Sequence, residues 1–421
     1  MCELFQVRYC SSNSRIELFL LELKNHKIHP NLNKLEKIST ITTIFSQTAN
    51  YKSHQNMQVD SGTRHLAKNT RVVVGLSGGV DSAVAAKKLV DHGLDVVAVF
   101  MKNWDEDDDS EYCSAEEDYR DAQSVADHLG IDLLQANFAD EYWERVFEEF
   151  LDGYRCGNTP NPDVLCNKEI KFDLFIRLAE TLGAEYIATG HYAARTSEKN
   201  FQLHKGIDET KDQSYFLQAV PRKMLSRCIF PLALSQKNDV RSEAKTYGFS
   251  NYNKRDSTGI CFIGERNFEN FLAQYIKRNP GPIVDATTGI IIGKHRGLSY
   301  YTLGQRSGLQ IGGLPDKPEL PWYVLEKNSN DNALIVTQDQ KDLYSFSLTA
   351  KDPNWLCDDV PQNCFAKIRY RQPDQACSVI SRDNRIFVTF EHAQRAITPG
   401  QYVALYDGTR CLGGAKITEA S

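Results

Sequence analysis

Two cysteines and one glycine-rich turn are the parts of this sequence best equipped for chemistry. The turn is Ser77, Gly78, Gly79, Val80, Asp81 and Ser82. It follows an apolar, β-branched run at 71–76 and precedes Ala-Val-Ala-Ala-Lys-Lys-Leu-Val at 83–90. A buried parallel strand, a tight turn and a helix start are therefore expected. The first N–H groups of a helix have no partner inside it, and its dipole favours an anion there. Gly78 and Gly79 let the backbone approach that anion closely. No Walker lysine is present, so this is not a G-x-x-x-x-G-K-[ST] loop. Cys166 lies just beyond Asn161, Pro162 and Asp163, and Pro160 and Pro162 stiffen its approach. It falls near the start of an expected helix, close to Lys168 and Lys171, and both features lower a thiol pKa. Asp163 is close enough in sequence to accept a proton. Cys261 stands between Gly259 and Gly264, downstream of Lys254 and Arg255. Cys113, Cys156, Cys228, Cys357, Cys364, Cys377 and Cys411 read as small buried hydrophobes.

Strands are expected at 94–101, 131–137 and 185–189, and helices at 115–129, 141–154 and 168–182. That alternation implies an α/β fold with a doubly wound parallel sheet. Ligands of such sheets sit at the carboxyl ends of the strands. The turn at 77–82, the turn after Met101, and Gly190-His191-Tyr192 should converge there. Helical signals continue at 240–247 and 268–276. From residue 281 short β-rich runs alternate with Gly, Pro, Asn and Asp, as in small barrels. The expected organisation is a polar N-terminal extension at 1–70 and a catalytic domain at 71–279. A central β-rich domain at 280–344 and a C-terminal β-barrel at 345–421 follow.

The 421 residues carry a net charge of −6, so a nucleic-acid partner must be held by a local basic surface. No apolar run is long enough to span a membrane. Eleven cysteines include no C-x-x-C pair. With an odd count and no secretory signal, they point to a reducing compartment, and bacterial cytoplasm is the expected location. Residues 1–70 contain more lysine than arginine, together with Glu3, Glu17, Glu22 and Glu36. That fits an organellar transit peptide poorly. A dispensable leader is expected, with Met57 as a candidate start. The acidic run at 105–109, with Glu111, reads as a solvated loop, and magnesium recruitment is the second reading.

The Ser-Gly-Gly-x-Asp-Ser turn resembles the pyrophosphate loop of enzymes that split ATP into AMP and pyrophosphate. Further motifs follow in order: Phe-Met-Lys-Asn-Trp at 100–104, Thr-Pro-Asn-Pro-Asp at 159–163 and Cys-Asn-Lys-Glu-Ile-Lys-Phe at 166–172. Then come Thr-Gly-His-Tyr at 189–192, Lys-Asp-Gln-Ser-Tyr-Phe-Leu at 211–217 and Asp-Ser-Thr-Gly-Ile-Cys-Phe-Ile-Gly at 256–264. Tyr-Thr-Leu-Gly-Gln-Arg at 301–306 and Thr-Pro-Gly-Gln at 398–401 complete the series. Together, over roughly residues 70–420, they resemble the tRNA-specific 2-thiouridylases.

The resemblance implies ATP-dependent thiolation of C2 of a tRNA wobble uridine, with Mg2+ accompanying ATP. Gly75 and Leu76 would join the turn in holding ATP, with Met101 and Gly190. Asn161, Pro162 and Asp163 would face the target base. His191, Lys211, Asp212, Gln213, Arg369, Tyr370 and Gln401 would touch tRNA. Cys261 would carry sulfur as a persulfide received from a donor or relay protein. Cys166 would be its partner nucleophile, and each cycle would leave a Cys166–Cys261 disulfide. Three other readings stay open. One is an ATP pyrophosphatase that activates a carbonyl for nitrogen attack. Another is an ATP-responsive RNA-binding protein without catalysis. The third is an iron–sulfur variant with Cys166, Cys261 and Asp163 as ligands.

Overall fold

A computed structural model describes residues 59–105, 114–196, 201–256, 268–312 and 318–421. The chain divides into two compact units, Met1–Met57 and Gln58–Ser421, and the described residues all belong to the second. The leader, Met57, Cys113, Cys261 and most of the acidic run lie outside them.

After a short strand β1 (Val59–Asp60), the catalytic domain is built on β2 (Arg71–Gly75), α1 (Val80–Asp91) and β3 (Asp95–Lys102). Then follow α2 (Ser114–Leu129) and β4 (Leu133–Asn137). One helical run joins α3 (Ala139–Tyr142), a π segment (Trp143–Phe147) and α4 (Glu148–Arg155). A second joins α5 (Pro162–Cys166), a π segment (Asn167–Leu174) and α6 (Phe175–Thr181). The chain continues through β5 (Tyr186–Ala188), β6 (Ala193–Thr196), β7 (Leu203–Lys205), α7 (Ser214–Leu217) and α8 (Arg222–Leu225). Last come β8 (Cys228–Ile229), α9 (Lys237–Tyr247) and α10 (Phe268–Tyr275).

Five of these strands form a parallel sheet in the order β4-β3-β2-β5-β8. β2 is central, so both its faces must be apolar. Val72 and Val74 pack with α1, α2 and α9 on one side. Val73 packs with Phe172 and Phe175 on the other. The period-2 alternation of a strand thus sends consecutive valines into two separate cores.

The second helical run starts six residues earlier than expected. Pro162 occupies the first helical position, where its fixed φ is preformed and no N–H is needed. Asn161 caps the helix by accepting from the Val164 N–H at 3.3 Å. Cys166 is therefore inside a continuous helical run, at the fifth helical position, rather than just ahead of a helix.

A four-stranded sheet follows, ordered β10-β9-β12-β11, from β9 (Gly281–Asp285), β10 (Ile291–His295), β11 (Tyr323–Asn328) and β12 (Ala333–Thr337). The C-terminal domain contains β13 (Tyr344–Trp355), β14 (Asn363–Lys367), β15 (Gln375–Arg382), β16 (Arg385–Arg395), β17 (Tyr402–Asp407) and β18 (Arg410–Ala420). They pair as β18-β13-β16-β15-β14-β17, and β17–β18 pairing closes the barrel. Sequence reading missed one feature. β1, β6 and β7 extend the barrel's sheet through β7–β18 pairing, so the catalytic domain and the barrel share a nine-stranded sheet. Strands of two to four residues give too little alternation to be seen. Among the described residues no helix is long and apolar enough to cross a membrane.

Candidate active site

The glycine-rich turn lies between β2 and α1 at the carboxyl edge of the parallel sheet. It is braced from within. The Ser82 hydroxyl accepts from the Ser77 N–H at 3.1 Å and donates to the Gly79 carbonyl at 2.9 Å. Asn251 donates to the Gly78 carbonyl at 2.8 Å. The two glycines do different work. Gly78 has φ +75°, and a Cβ there would lie 2.2 Å from the Asp118 carbonyl oxygen. Gly79 has ordinary φ −83°, and a Cβ would meet only the Ser77 hydroxyl, at 3.5 Å. The position above Gly79, at a helix N-terminus with no side-chain cap, is an open cradle for an anion. Met101 and Gly190 border the turn: a Cβ on Gly75 would touch Met101 Cε at 3.3 Å, and one on Gly190 would lie 2.9 Å from Asp81 backbone.

Asp81 does not point into a vacant cradle. Its oxygens accept from Lys237 Nζ at 2.7 Å each and from the Tyr192 hydroxyl at 2.8 Å. Lys237 is buried, at 7% exposure, and also pairs with Asp256 at 2.8 Å. Lys211 and Arg241 bind the same Asp256 at 2.6 and 2.8 Å. Burial would raise the Asp256 pKa, but its bonds to Lys211 and Lys237 outweigh that and hold it at about 2. Lys237 went unnoticed in the sequence because its role comes from proximity across 156 positions, not from a local pattern. Segment 254–256 is further tied to α2, where Lys254 pairs with Asp118 at 2.7 Å and with Asp121.

The second half of the site is the start of α5. Cys166 is fully buried, among Trp104, Tyr142, Phe147, Leu165 and Phe271. Lys168, expected to lower its pKa, is instead paired with Glu169 at 3.0 Å and turned toward solvent. Phe172 and Phe175, farther along the same run, pack under His191 and Gly75. One helical run therefore links the cysteine to the floor of the nucleotide turn.

Comparison with known proteins bears on this arrangement. Residues 70–265 match the family described as the tRNA methyl transferase HUP domain. Residues 269–338 match its PRC-barrel domain, and 345–417 the aminomethyltransferase beta-barrel domain. The tRNA-specific 2-thiouridylase MnmA of Alcanivorax borkumensis is 52% identical over 360 residues, covering 84% of this chain and 99% of that one. The MnmA of Hahella chejuensis is 53% identical over 358 residues, covering 83% and 98%. This chain belongs to the tRNA-specific 2-thiouridylase family.

The tRNA contacts implied by that family divide sharply in position. Arg369 is exposed, in a turn beyond β14, and one guanidinium nitrogen donates to the Ala396 carbonyl at 2.8 Å. Tyr370 is half-buried against Phe216, with ring centroids 4.6 Å apart. Gln213 is half-buried and accepts from the Tyr192 N–H at 3.0 Å. Lys211 is committed to Asp256. Asp212 is buried and accepts from the Gly206 and Ser214 N–H groups, so it braces the 206–214 loop. His191 is also inside, with Nδ1 2.8 Å from the Thr189 hydroxyl. Its burial, with Lys171 behind it, pushes its pKa down to about 3. His191 therefore lies inside the domain rather than on its open surface.

Among the other cysteines, Cys228, Cys357, Cys364, Cys377 and Cys411 are buried as expected. Cys156 is exposed at the end of α4, which corrects its reading as a core residue.

A pH prediction follows from His191. Its folded pKa lies below the ordinary value of 6.5, so below pH 6.5 the unfolded chain binds a proton that the folded chain refuses. Stability should fall as pH falls. Between pH 7 and 5 this one group costs about 2 kcal/mol. His191→Gln should flatten the pH dependence of the urea midpoint over that range. An unchanged slope would show that His191 titrates normally.

Proposed function

We propose that this protein is an ATP-dependent tRNA-uridine 2-sulfurtransferase that thiolates C2 of the wobble uridine. The observation that carries the reading is the open cradle over Gly79, connected through one helical run to a buried cysteine behind the Asn161 cap. ATP phosphates would lie on the N–H groups at the start of α1. Asp81 is already taken by Lys237 and Tyr192, so Mg2+ arriving with ATP would be held chiefly by phosphate oxygens. No group of three His, Cys, Asp or Glu side chains is placed to hold a metal among the described residues.

Wobble bases are normally stacked and must be splayed out to be read. Asn161 would then meet the base. Its Nδ2 donates to Gln401 Oε1 at 3.3 Å, which leaves a second N–H for a uracil carbonyl. The C2 oxygen is adenylated and pyrophosphate leaves. The terminal sulfur of a Cys261 persulfide attacks C2 and AMP leaves. The Cys166 thiolate then attacks the Cys261 sulfur, so the S–S bond to the base breaks and a Cys166–Cys261 disulfide forms. That disulfide needs a two-electron thiol reductant before the next cycle, and so asks for a reducing cytoplasm. A donor or relay protein would reload Cys261.

The test is pyrophosphate release with purified protein, ATP, a persulfide donor and tRNA, together with mass spectrometry of the tRNA nucleosides. Release should depend on tRNA, and 2-thiouridine should appear. Methylated uridine would point to methyl transfer instead. Release without tRNA would favour another ATP pyrophosphatase, and no release would favour a binding protein.

Exposed Arg306, Arg369 and Arg371 are candidate phosphate contacts on an otherwise acidic chain. Affinity for tRNA should therefore fall steeply with salt, and Arg369→Ala should lower the slope of log K against log salt by roughly 0.7–0.9. ATP affinity measured without tRNA should not change. Salt-independent binding would contradict an electrostatic tRNA surface.

A further inference from the structure

Four cations face one another across four neighbouring strands of the barrel. Arg382 of β15 is registered opposite Arg385 of β16, Arg385 opposite Lys351 of β13, and Lys351 opposite Lys416 of β18. Registered partners share one face of a sheet. Here it is the outer face, because the alternating neighbours Ala350, Ile386 and Ile417 are buried inside the barrel. A two-residue turn fixes the register at one end: Asp383 and Asn384 both have left-handed φ, 52° and 56°. Like charges placed directly opposite destabilise a sheet. The local carboxylates relieve only the two ends of the row. Lys416 pairs with Glu149 at 2.9 Å and Arg382 with Asp383 at 3.0 Å, and such solvated pairs contribute little. Asp352, beside Lys351, accepts from Asn384 at 2.9 Å. Lys351 and Arg385, at the centre of the row, are exposed, and among the described residues neither is in an ion pair.

The next outward-facing row is apolar. Phe387 is registered opposite Ile380 on β15 and Thr349 on β13, and Ile380 and Phe387 are 60% and 41% exposed. Neighbouring strands lie about 4.8 Å apart, so the row of cations spans about 14 Å. One nucleic-acid strand carries several phosphates over that length. A ring beside such a row can take an unstacked base. The row also starts at the site. Lys416 is registered opposite Tyr402 of β17, which packs on Val164 of α5. Gln401, which the family resemblance implies touches tRNA, immediately precedes Tyr402 and accepts from Asn161.

We propose that Lys416, Lys351, Arg385 and Arg382 form a phosphate track that carries the tRNA backbone from the target-base site across the outer wall of the barrel, flanked by Phe387 and Ile380. Phosphates supply the counter-ions that the row lacks, so repulsion that burdens the free protein becomes attraction in the complex. This inference rests on the proposed reading of the protein as a tRNA-modifying enzyme.

The experiment uses the full chain with Lys351→Gln and Arg385→Gln combined, which removes the two central charges and keeps long polar side chains. The slope of log K for tRNA against log salt should fall by roughly 1.4–1.8, two phosphate contacts' worth. The melting temperature should stay level or rise, because the variant loses repulsion and no partner. Arg385→Gln alone should give about half the slope change, and Arg385→Lys should keep the full slope. In the unaltered protein, tRNA should protect Lys351 from acetylation, while exposed Lys223 should stay reactive. An unchanged slope in the double variant, or no protection of Lys351, would overturn the track. Protection of Lys351 by anionic phospholipid vesicles and not by tRNA would make this face a membrane surface and overturn it equally. If the unaltered protein binds no tRNA, the functional reading itself fails; if it binds tRNA and the double variant binds it with the same affinity and slope, only the track fails.

Discussion

Cys261→Ser should abolish both the transferable sulfur and the thiolated product, a loss of about three orders of magnitude or more in rate. Cys166→Ser should still load sulfur on Cys261 yet fail to turn over with a physiological donor. The asymmetry has a physical cause. Cys166 is fully buried under an aromatic cluster built from Trp104, Tyr142 and Phe147. A thiol buried in this way is out of reach of a sulfur-donor protein, which is why the proposed route loads sulfur on Cys261. Cys166 can still attack from inside the protein once the base is bound, because that step needs only proximity. Radiolabelled sulfur should therefore be found on Cys261, and on Cys261 alone in the Cys166→Ser variant. After turnover without reductant, non-reducing peptide mapping should join Cys166 to Cys261. Label on Cys166, or full activity of Cys261→Ser, would overturn the persulfide route. The control is Cys156→Ser, since Cys156 is exposed. Cys377 is a poorer control: its sulfur lies 3.8 Å from that of Cys364 inside the barrel, so serine there disturbs packing.

What could be read from the sequence follows how local each signal is. The glycine-rich turn was legible because its strand, turn and helix start are contiguous, and each obeys a short-range rule. The parallel sheet was legible because runs such as Val72, Val73 and Val74 make sense only with two buried faces. The beginning of α5 was misread, although Asn161 and Pro162 carry an N-cap and first-turn signature. Pro160 and Pro162, two positions apart, bias the residues before them toward extended backbone and so mask that signature. Lys237 and Gln401 mark the other limit. Each acts on residues 156 and 240 positions away, at Asp81 and Asn161, and nothing adjacent to either announces it. His191 and Asp212 show the same limit in reverse: both polar side chains turn inward, His191 to the Thr189 hydroxyl and Asp212 to the backbone of the 206–214 loop. Burial, which decides between contact and scaffold, is a property of the assembled fold.

Gly79→Val should leave the protein folded and unable to use ATP, and this separates the loop's chemistry from its architecture. The backbone at Gly79 is extended, with φ −83° and ψ 157°, which valine accepts. Its Cβ would find only the Ser77 hydroxyl at 3.5 Å. No side-chain cap is lost, because none is present. The branched side chain would instead occupy the space where phosphate approaches the helix N-terminus. Losing two charge-assisted bonds of about 1.5–3 kcal/mol each should weaken ATP binding by at least roughly a hundredfold. Gly78→Ala should behave in the opposite way. Its left-handed φ alone costs about 1–2 kcal/mol, and the methyl would press on the Asp118 carbonyl at 2.2 Å. The melting temperature should drop by several degrees before any ATP is added. Asp81→Ala is the ambiguous variant, since it also strips buried Lys237 of a partner and Tyr192 of its acceptor. Calorimetric ATP titration beside thermal melts distinguishes the three. Tight ATP binding by a folded Gly79→Val protein would remove this turn from the phosphate site.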